Sequence, residues 1–468
     1  MRPILFLFVC FFVLTPSLAN FLENQADYAA VVSAIDSAIQ TDPSLKHSAY
    51  NRAAYLVDSY GTRLWGSDSL ELAIQDLHSQ MVEAGFENPR LEPVQNITHW
   101  VRGSEKLLLL SPRPMPSEIP MIGLGLSVGG DVTSEVLVVK TFAELEQKKD
   151  QVYGKIVVFN EDWVNYSYTV QYRGAGASRV AKYGGVACII RSVASKSIES
   201  PHTGGLTYDP NYPKIPAAAI SIEDAHMLQR MSDRGQKIVL SLHMEARLEE
   251  RRNSSNVVGE IKGYKYPHEV ILMGGHIDTW DVGPQTGAND DTAGFMVCFE
   301  AVRLLLNLGL RPKRTIRFIA WSGEEMGQPE RGAAQYVSTH IKEIEDHIIT
   351  FESDEGTTKI YGFGFSGGSN GLKFIKNIAE KYLVAINASQ IIENDGEMMD
   401  TAPLLALGVP AVRNEIVDND TRDFYFSYHH SAGDTVDVLD ADDMDSNVKA
   451  IASLFYIIAD MDERFPRD

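Results

Sequence analysis

The sequence predicts an α/β protein: a mixed, largely parallel sheet flanked by helices, interrupted by an inserted β-rich region. Three observations predict it. From about residue 254, apolar strand-like runs alternate with helical spacing. Between about 110 and 250, short β-type runs punctuated by Gly and Pro replace that alternation. Acidic and histidine residues then gather at the ends of the apolar runs, where open α/β sheets collect ligands.

The chain starts Met1-Arg2-Pro3, runs through about ten apolar residues to Leu14, and reaches Ser17-Leu18-Ala19. That is the pattern of a secretory signal peptide over 1–19. A bilayer span needs roughly 20 apolar residues, so no membrane span is expected after its removal. Residues 20–46 carry helical spacing at Tyr28, Val31, Val32, Ile35 and Ile39 that stops at Asp42-Pro43, and read either as a propeptide or as the first helix. Residues 48–86 read as two helices, the second over 69–84 and closed by Gly85.

After the Pro-rich breaker at 111–116, strands are expected at 135–140, 155–160, 186–191, 217–220 and 237–244, with one helix at 177–183. In the last part, strands are expected at 270–275, 315–321 and 348–352. Helices are expected at 292–308, near 368–382 and at 440–460. The resulting plan is a discontinuous domain, 47–109 and 251–468, holding an insert over 110–250.

The 468-residue length suits two domains. A net charge of −21 speaks against nucleic acid as a partner, because phosphate binding needs a basic stripe. Of three cysteines, Cys10 leaves with the signal peptide; Cys188 and Cys298 sit in apolar runs and read as buried thiols. Sequons at Asn96, Asn165, Asn253, Asn387 and Asn419 are glycosylation candidates behind a signal peptide.

Chemistry concentrates in five segments: GGHIDTWD with His276 and Asp278, TGANDDTAG with Asp290 and Asp291, AWSGEEMG with Glu324 and Glu325, FESDEG with Asp354, and YHHSAGDT with His430. Together they offer nitrogen and oxygen ligands for two zinc ions and one spare carboxylate as a base. Asp278, two residues past His276, is placed to accept a hydrogen bond from the free ring nitrogen. Asp290, in a glycine-flanked turn before a helix, is placed to bridge two ions. An isolated Asp-Asp there would ordinarily be a helix cap, and an isolated Glu-Glu a solvated helix start. Of the adjacent glutamates, one would bind metal and the other serve as general base. Glu352 and Glu355 compete with Asp354, and His429 with His430. His340 and His347 read as surface residues, and Gly274, Gly275 and Gly287 as room for a substrate.

These five motifs in this order resemble the M28-type metallopeptidases, which use two co-catalytic zinc ions. The segments VYGKIVVFN and AKYGGVACIIRS resemble the protease-associated domain that such enzymes carry as an insert. The resemblance implies a zinc-peptidase fold, with His276 and Asp354 on one zinc, Glu325 and His430 on the other, and Asp290 bridging. It further implies Glu324 as general base and Asp278 as the residue orienting His276. It also implies a homodimer. Peptide substrates follow, dipeptides or short peptides with free termini, in a secreted or lysosomal enzyme. Two other readings stay open: an M28-type aminopeptidase, and a non-catalytic receptor-like protein on the same scaffold. A single-zinc acyl-transfer enzyme of the same fold is disfavoured by the five-ligand set.

Overall fold

The computed structural model describes residues 28–196, 198–394, 399–416 and 424–467. The signal segment 1–19, residues 20–27 and the Asn419 sequon lie outside them. The chain is mixed α/β, built around two eight-stranded sheets.

The first sheet runs in the spatial order Glu87–Ile97, Arg252–Ile261, Arg314–Trp321, Tyr266–His276, His347–Glu352, Ala411–Ile416, Ile360–Ser366, Gln390–Glu393. Its middle is parallel: Tyr266–His276 pairs in parallel with both Arg314–Trp321 and His347–Glu352, and the latter with Ala411–Ile416. Antiparallel pairs close in on either side. The middle strands are buried along all or most of their length, as expected of parallel strands covered on both faces, and the polar residues within them are buried with the rest.

The covering helices account for this burial. Ala293–Asn307 is buried from Ala293 to Leu305, because it sits between the sheet and the helices Ser48–Tyr60 and Ala441–Asp460. Tyr28–Thr41 packs on Ala441–Asp460 through Tyr28, Val31, Val32, Ile35 and Ile39, with the Tyr28 hydroxyl 3.3 Å from Asp460. Starts follow the local chemistry: Ser67 accepts from the Leu70 N–H, and Asp440 from the N–H groups of Asp442 and Asp443.

The second sheet is drawn from strands between Glu105 and Met244, with a parallel core of Gly130–Val139, Ile156–Phe159, Ala187–Arg191 and Ala217–Ile220. It departs from the expected single short helix. Tyr166–Ala181 is a 16-residue helix, and Phe142–Gln147 and Ile222–Asp233 are two more. The first eleven residues of Tyr166–Ala181 contain two glycines and three tyrosines, which weaken helical propensity without preventing packing.

Cys188 and Cys298 are buried free thiols. Asn96, Asn165, Asn253 and Asn387 are exposed. His340 and His347 are not surface residues: His347 is buried against the Tyr336 hydroxyl at 2.8 Å, and His340 meets Glu92 at 3.1 Å. Their segment reads as polar, but strands Glu87–Ile97 and Arg314–Trp321 bring Glu92 and Arg317 to it from a distance.

Candidate metal centre

His276 is the last residue of its strand, so its ring leaves the sheet where the parallel strands end. Its Nε2 lies 3.0 Å from Asp354 and 3.3 Å from Asp290. Its Nδ1 lies 2.9 Å from the carbonyl oxygen of Asp278, while the Asp278 carboxylate stands off at 3.8 Å. The expected carboxylate–imidazole hydrogen bond is therefore replaced by a backbone one. The Asp278 carboxylate instead accepts the N–H groups of Gly323, Glu324 and Glu325 at 2.7, 3.2 and 3.3 Å. It holds in place the turn that carries both glutamates.

The Asp290 turn is fixed from three sides. Asp434 accepts the N–H groups of Asn289 and Asp290. Asn289 joins the Tyr428 hydroxyl to the Thr357 N–H. Asp291 turns away from the site and accepts the His276 N–H at 2.9 Å. Beneath them Arg63, fully buried, donates to the Ile277 and Gly61 carbonyls and to Thr292.

The glycines expected to admit substrate make room for protein. A Cβ on Gly274 would meet the Ile319 carbonyl oxygen at 1.7 Å, one on Gly275 Asp291 at 2.1 Å, and one on Gly287 Thr279 at 2.0 Å.

Asp290 is the common member of two donor groups, one with His276 and Asp354, the other with His429 and His430. Its Oδ1 faces His276, and its Oδ2 lies 3.2 Å from the Nε2 atoms of both His429 and His430. Of the two histidines, His430 also meets Glu325, at 3.0 Å. The two rings stack at 3.6 Å between centroids.

Glu324 is buried, with one oxygen 4.0 Å from His276 Nε2 and the other lacking a hydrogen-bond partner among the described residues. Asp290 Oδ2 likewise lacks a partner in hydrogen-bond geometry. Glu352, Asp354's competitor, points elsewhere and accepts the N–H groups of Asp400 and Thr401.

Charge is the site's main physical problem. Burial, aggravated by Asp290, pushes the Glu325 carboxyl up to about 8. Burial also raises Glu324 and Asp354 and pushes Asp434 up to about 7. Burial disfavours the imidazolium of His276 and His430, yet the surrounding carboxylates outweigh it and hold both well above the ordinary imidazole range. Carboxylates and imidazoles packed this tightly, with one oxygen each of Glu324 and Asp290 left without a hydrogen-bond partner among the described residues, fit divalent cations as the missing counter-charge. The donor set of imidazole nitrogen and carboxylate oxygen is that of catalytic zinc.

The centre opens into a cavity of about 320 Å³, walled by Glu324, Glu325, Asp354 and His430 and, from the second sheet's side, by Tyr166, Arg173 and Leu206. Thr203 donates its N–H to the His430 carbonyl, and His202 lies 2.6 Å from the His429 carbonyl. Sequence reasoning missed Arg63, Arg173 and the 202–203 segment, which carry no local signal. Asp434 had one, since it lies within the YHHSAGDT segment.

Residues 256–455 match Peptidase family M28. The chain is 43% identical to carboxypeptidase Q of Homo sapiens over 425 residues, covering 90% of this chain and 87% of the relative. Its fold matches the crystal structure of a peptidase M28 precursor from Shewanella amazonensis SB2B with a TM-score of 0.86 and 29% identity, over 94% of this chain and 98% of the other. It also matches BSAP, a zinc aminopeptidase from Bacillus subtilis, with a TM-score of 0.67 at 19% identity over 90% and 96% of the two chains.

Proposed function

Because the chain belongs to peptidase family M28 and is a metallopeptidase, we propose that it is a secreted two-zinc exopeptidase that hydrolyses dipeptides or short peptides, as a carboxypeptidase or dipeptidase. The observation that carries this reading is Asp290, whose two oxygens face separate donor groups. In this reading His276 and Asp354 hold one ion, Glu325 and His430 the other, and Asp290 both.

Bound zinc supplies Lewis acidity, polarising a carbonyl and acidifying a water. The chain's own residues do the rest. Asp278 fixes the turn so that Glu324 faces the cavity, and the free Glu324 carboxylate takes the proton of the attacking water and returns it to the leaving amine. Burial raises the Glu324 carboxyl, which suits a group that must both accept and release a proton. A receptor-like reading would require a missing donor or base, and every one is present.

The wider proposals concern processing and assembly. The signal peptide 1–19 would be removed and the helix Tyr28–Thr41 kept as part of the fold. The second sheet would be a protease-associated insert. Asn96, Asn165, Asn253, Asn387 and Asn419 would carry glycans, and the enzyme would be a homodimer in a secreted or lysosomal setting. Among the described residues no helix is long and apolar enough to cross a membrane. The test is Glu324→Gln: zinc content unchanged, peptide hydrolysis reduced by about 10²–10⁴-fold. A fully active variant would remove Glu324 from the mechanism.

A further inference from the structure

We infer that Arg63 is a positioning residue that locks the His276 strand end to the Asp290 turn, and so sets how closely the two ions sit. The inference deepens the proposed function and rests on its two-ion reading.

Arg63 lies between the helices Ser48–Tyr60 and Asp68–Glu83 and is fully buried. On one side it grips the strand end. Its Nε donates to the Ile277 carbonyl at 2.9 Å, one residue past His276. Its backbone exchanges two hydrogen bonds with Thr279: Oγ1 accepts the Arg63 N–H at 2.9 Å, and the Thr279 N–H donates to the Arg63 carbonyl at 3.1 Å. On the other side, Nη2 donates to Thr292 Oγ1 and lies 3.4 Å from the Gly287 carbonyl oxygen. Gly287 and Thr292 flank Asp290 and close its turn, since the Thr292 N–H and hydroxyl both donate to the Gly287 carbonyl. One planar group thus reaches the neighbour of His276 and both ends of the Asp290 turn. His276 and Asp290 themselves stand 3.3 Å apart, Nε2 to Oδ1.

The partners that Arg63 lacks matter as much. Buried arginines normally face a carboxylate, because an unpaired buried charge is costly. Elsewhere in this chain Arg317 has Glu260, Arg314 has Glu269, and Arg303 has Glu300. Among the described residues no carboxylate forms an ion pair with Arg63, whose donors go to carbonyls and a hydroxyl. Burial lowers its guanidinium to about 10, against the more distant Asp278, Asp434, Asp291 and Glu325, and so leaves it charged at neutral pH. A cation paired with one carboxylate orients one side chain. A cation spread over backbone carbonyls fixes the spacing of two chain segments.

Trp65, two residues on, ties the same segment to the glutamate turn. Its indole N–H donates to Ser322 Oγ at 3.1 Å, and a Cβ on Gly323 would lie 2.3 Å from its ring. Lysine cannot do what Arg63 does, since an ammonium keeps the charge but concentrates its donors at a point, where the guanidinium spreads them as a fork.

The experiment loads the full chain with manganese(II), a metal that carboxylate-rich sites accept. Its electron paramagnetic resonance distinguishes a pair of ions sharing a bridge from isolated ions. The variants are Arg63→Lys and Thr292→Val, the second of which keeps the guanidinium and removes only its hydroxyl acceptor in the Asp290 turn. Circular dichroism checks the fold, and elemental analysis the metal content. The wild type should give the spectrum of a coupled pair. In both variants that signal should weaken or give way to that of isolated ions at saturating manganese, and zinc affinity should fall by about 10–100-fold. If Arg63→Lys does not fold, Thr292→Val decides alone. Wild-type coupling in either folded variant would overturn the inference, because a merely structural role would lower stability and leave the coupling in place. Uncoupled ions in the wild type would instead overturn the two-ion reading on which the inference rests.

Discussion

Asp434 accepts the backbone N–H of Asp290 at 3.1 Å through one carboxylate oxygen, while its other oxygen takes the N–H of Asn289 at 2.9 Å. A residue near the C-terminus thereby fixes the turn that carries the shared donor. An asparagine at 434 offers one acceptor oxygen where two are needed, and turns an N–H₂ toward a backbone donor. Asp434→Asn should lower zinc affinity by about 10–100-fold, as loss of such outer supports does. Zinc titration against a chelator buffer checks this, and an unchanged affinity would show the turn to be held without it.

Asp278 acts through the backbone of the glutamate turn. Asp278→Asn should retain the zinc while kcat falls by roughly 10–100-fold, because Glu324 loses its fixed position rather than the metal losing a donor. Zinc content alongside steady-state kinetics decides; a variant losing metal and activity in proportion would place Asp278 among the metal's direct supports.

Gly294→Ala sets two effects against each other. Alanine favours a helix over glycine by about 1 kcal/mol, but the new Cβ would lie 1.8 Å from Asp291 Oδ1 and 2.0 Å from the Ser353 carbonyl oxygen. Overpacking of this kind costs about 1–3 kcal/mol, so the net effect should be destabilising, read as a lower thermal midpoint. A midpoint at or above the wild type would mean that Asp291 and Ser353 give way.

Acid should weaken the fold through His347. Burial first, then Arg317 and His340, lower its imidazole from 6.5 to about 4, against smaller support from the Glu343 carbonyl. The unfolded chain therefore takes up a proton that the folded chain refuses. Stability is lost as pH falls from 6.5 toward 4, and the loss levels off below that, at no more than about 3 kcal/mol. Neighbouring His340 works in the opposite sense, since Glu92 and Glu343 outweigh its burial and raise it, adding stability below 6.5. His347→Gln should thus lose less stability than the wild type between pH 7 and pH 4 at fixed zinc. Parallel pH profiles would contradict the assignment.

The parts of the fold that sequence made legible are those where one element buries all its faces. Ala293–Asn307 is mostly apolar and Arg314–Trp321 carries an apolar run from Phe318 to Trp321, and the acidic motifs lie at their ends. Glu87–Ile97 went unseen because it is an edge strand with two prolines and mostly polar residues, and its pairing with Arg252–Ile261 is what makes it a strand. The proposed donors His276, Asp290, Glu325, Asp354 and His430 stand out in the sequence because each lies in a distinctive local motif. Arg63 and Arg173 do not, since each acts on residues more than 200 positions away. The function of Asp278 was read from its spacing, but spacing alone does not say whether a carboxylate or a carbonyl turns toward the ring.

Asp290 is proposed to hold two ions at once. Zinc per chain should be measured by elemental analysis on the wild type and on Asp290→Ala, each verified as folded by circular dichroism. About two zinc ions per wild-type chain and less than one in the variant are expected, because the shared donor would serve both sites. One zinc per wild-type chain, or two retained without Asp290, would contradict it.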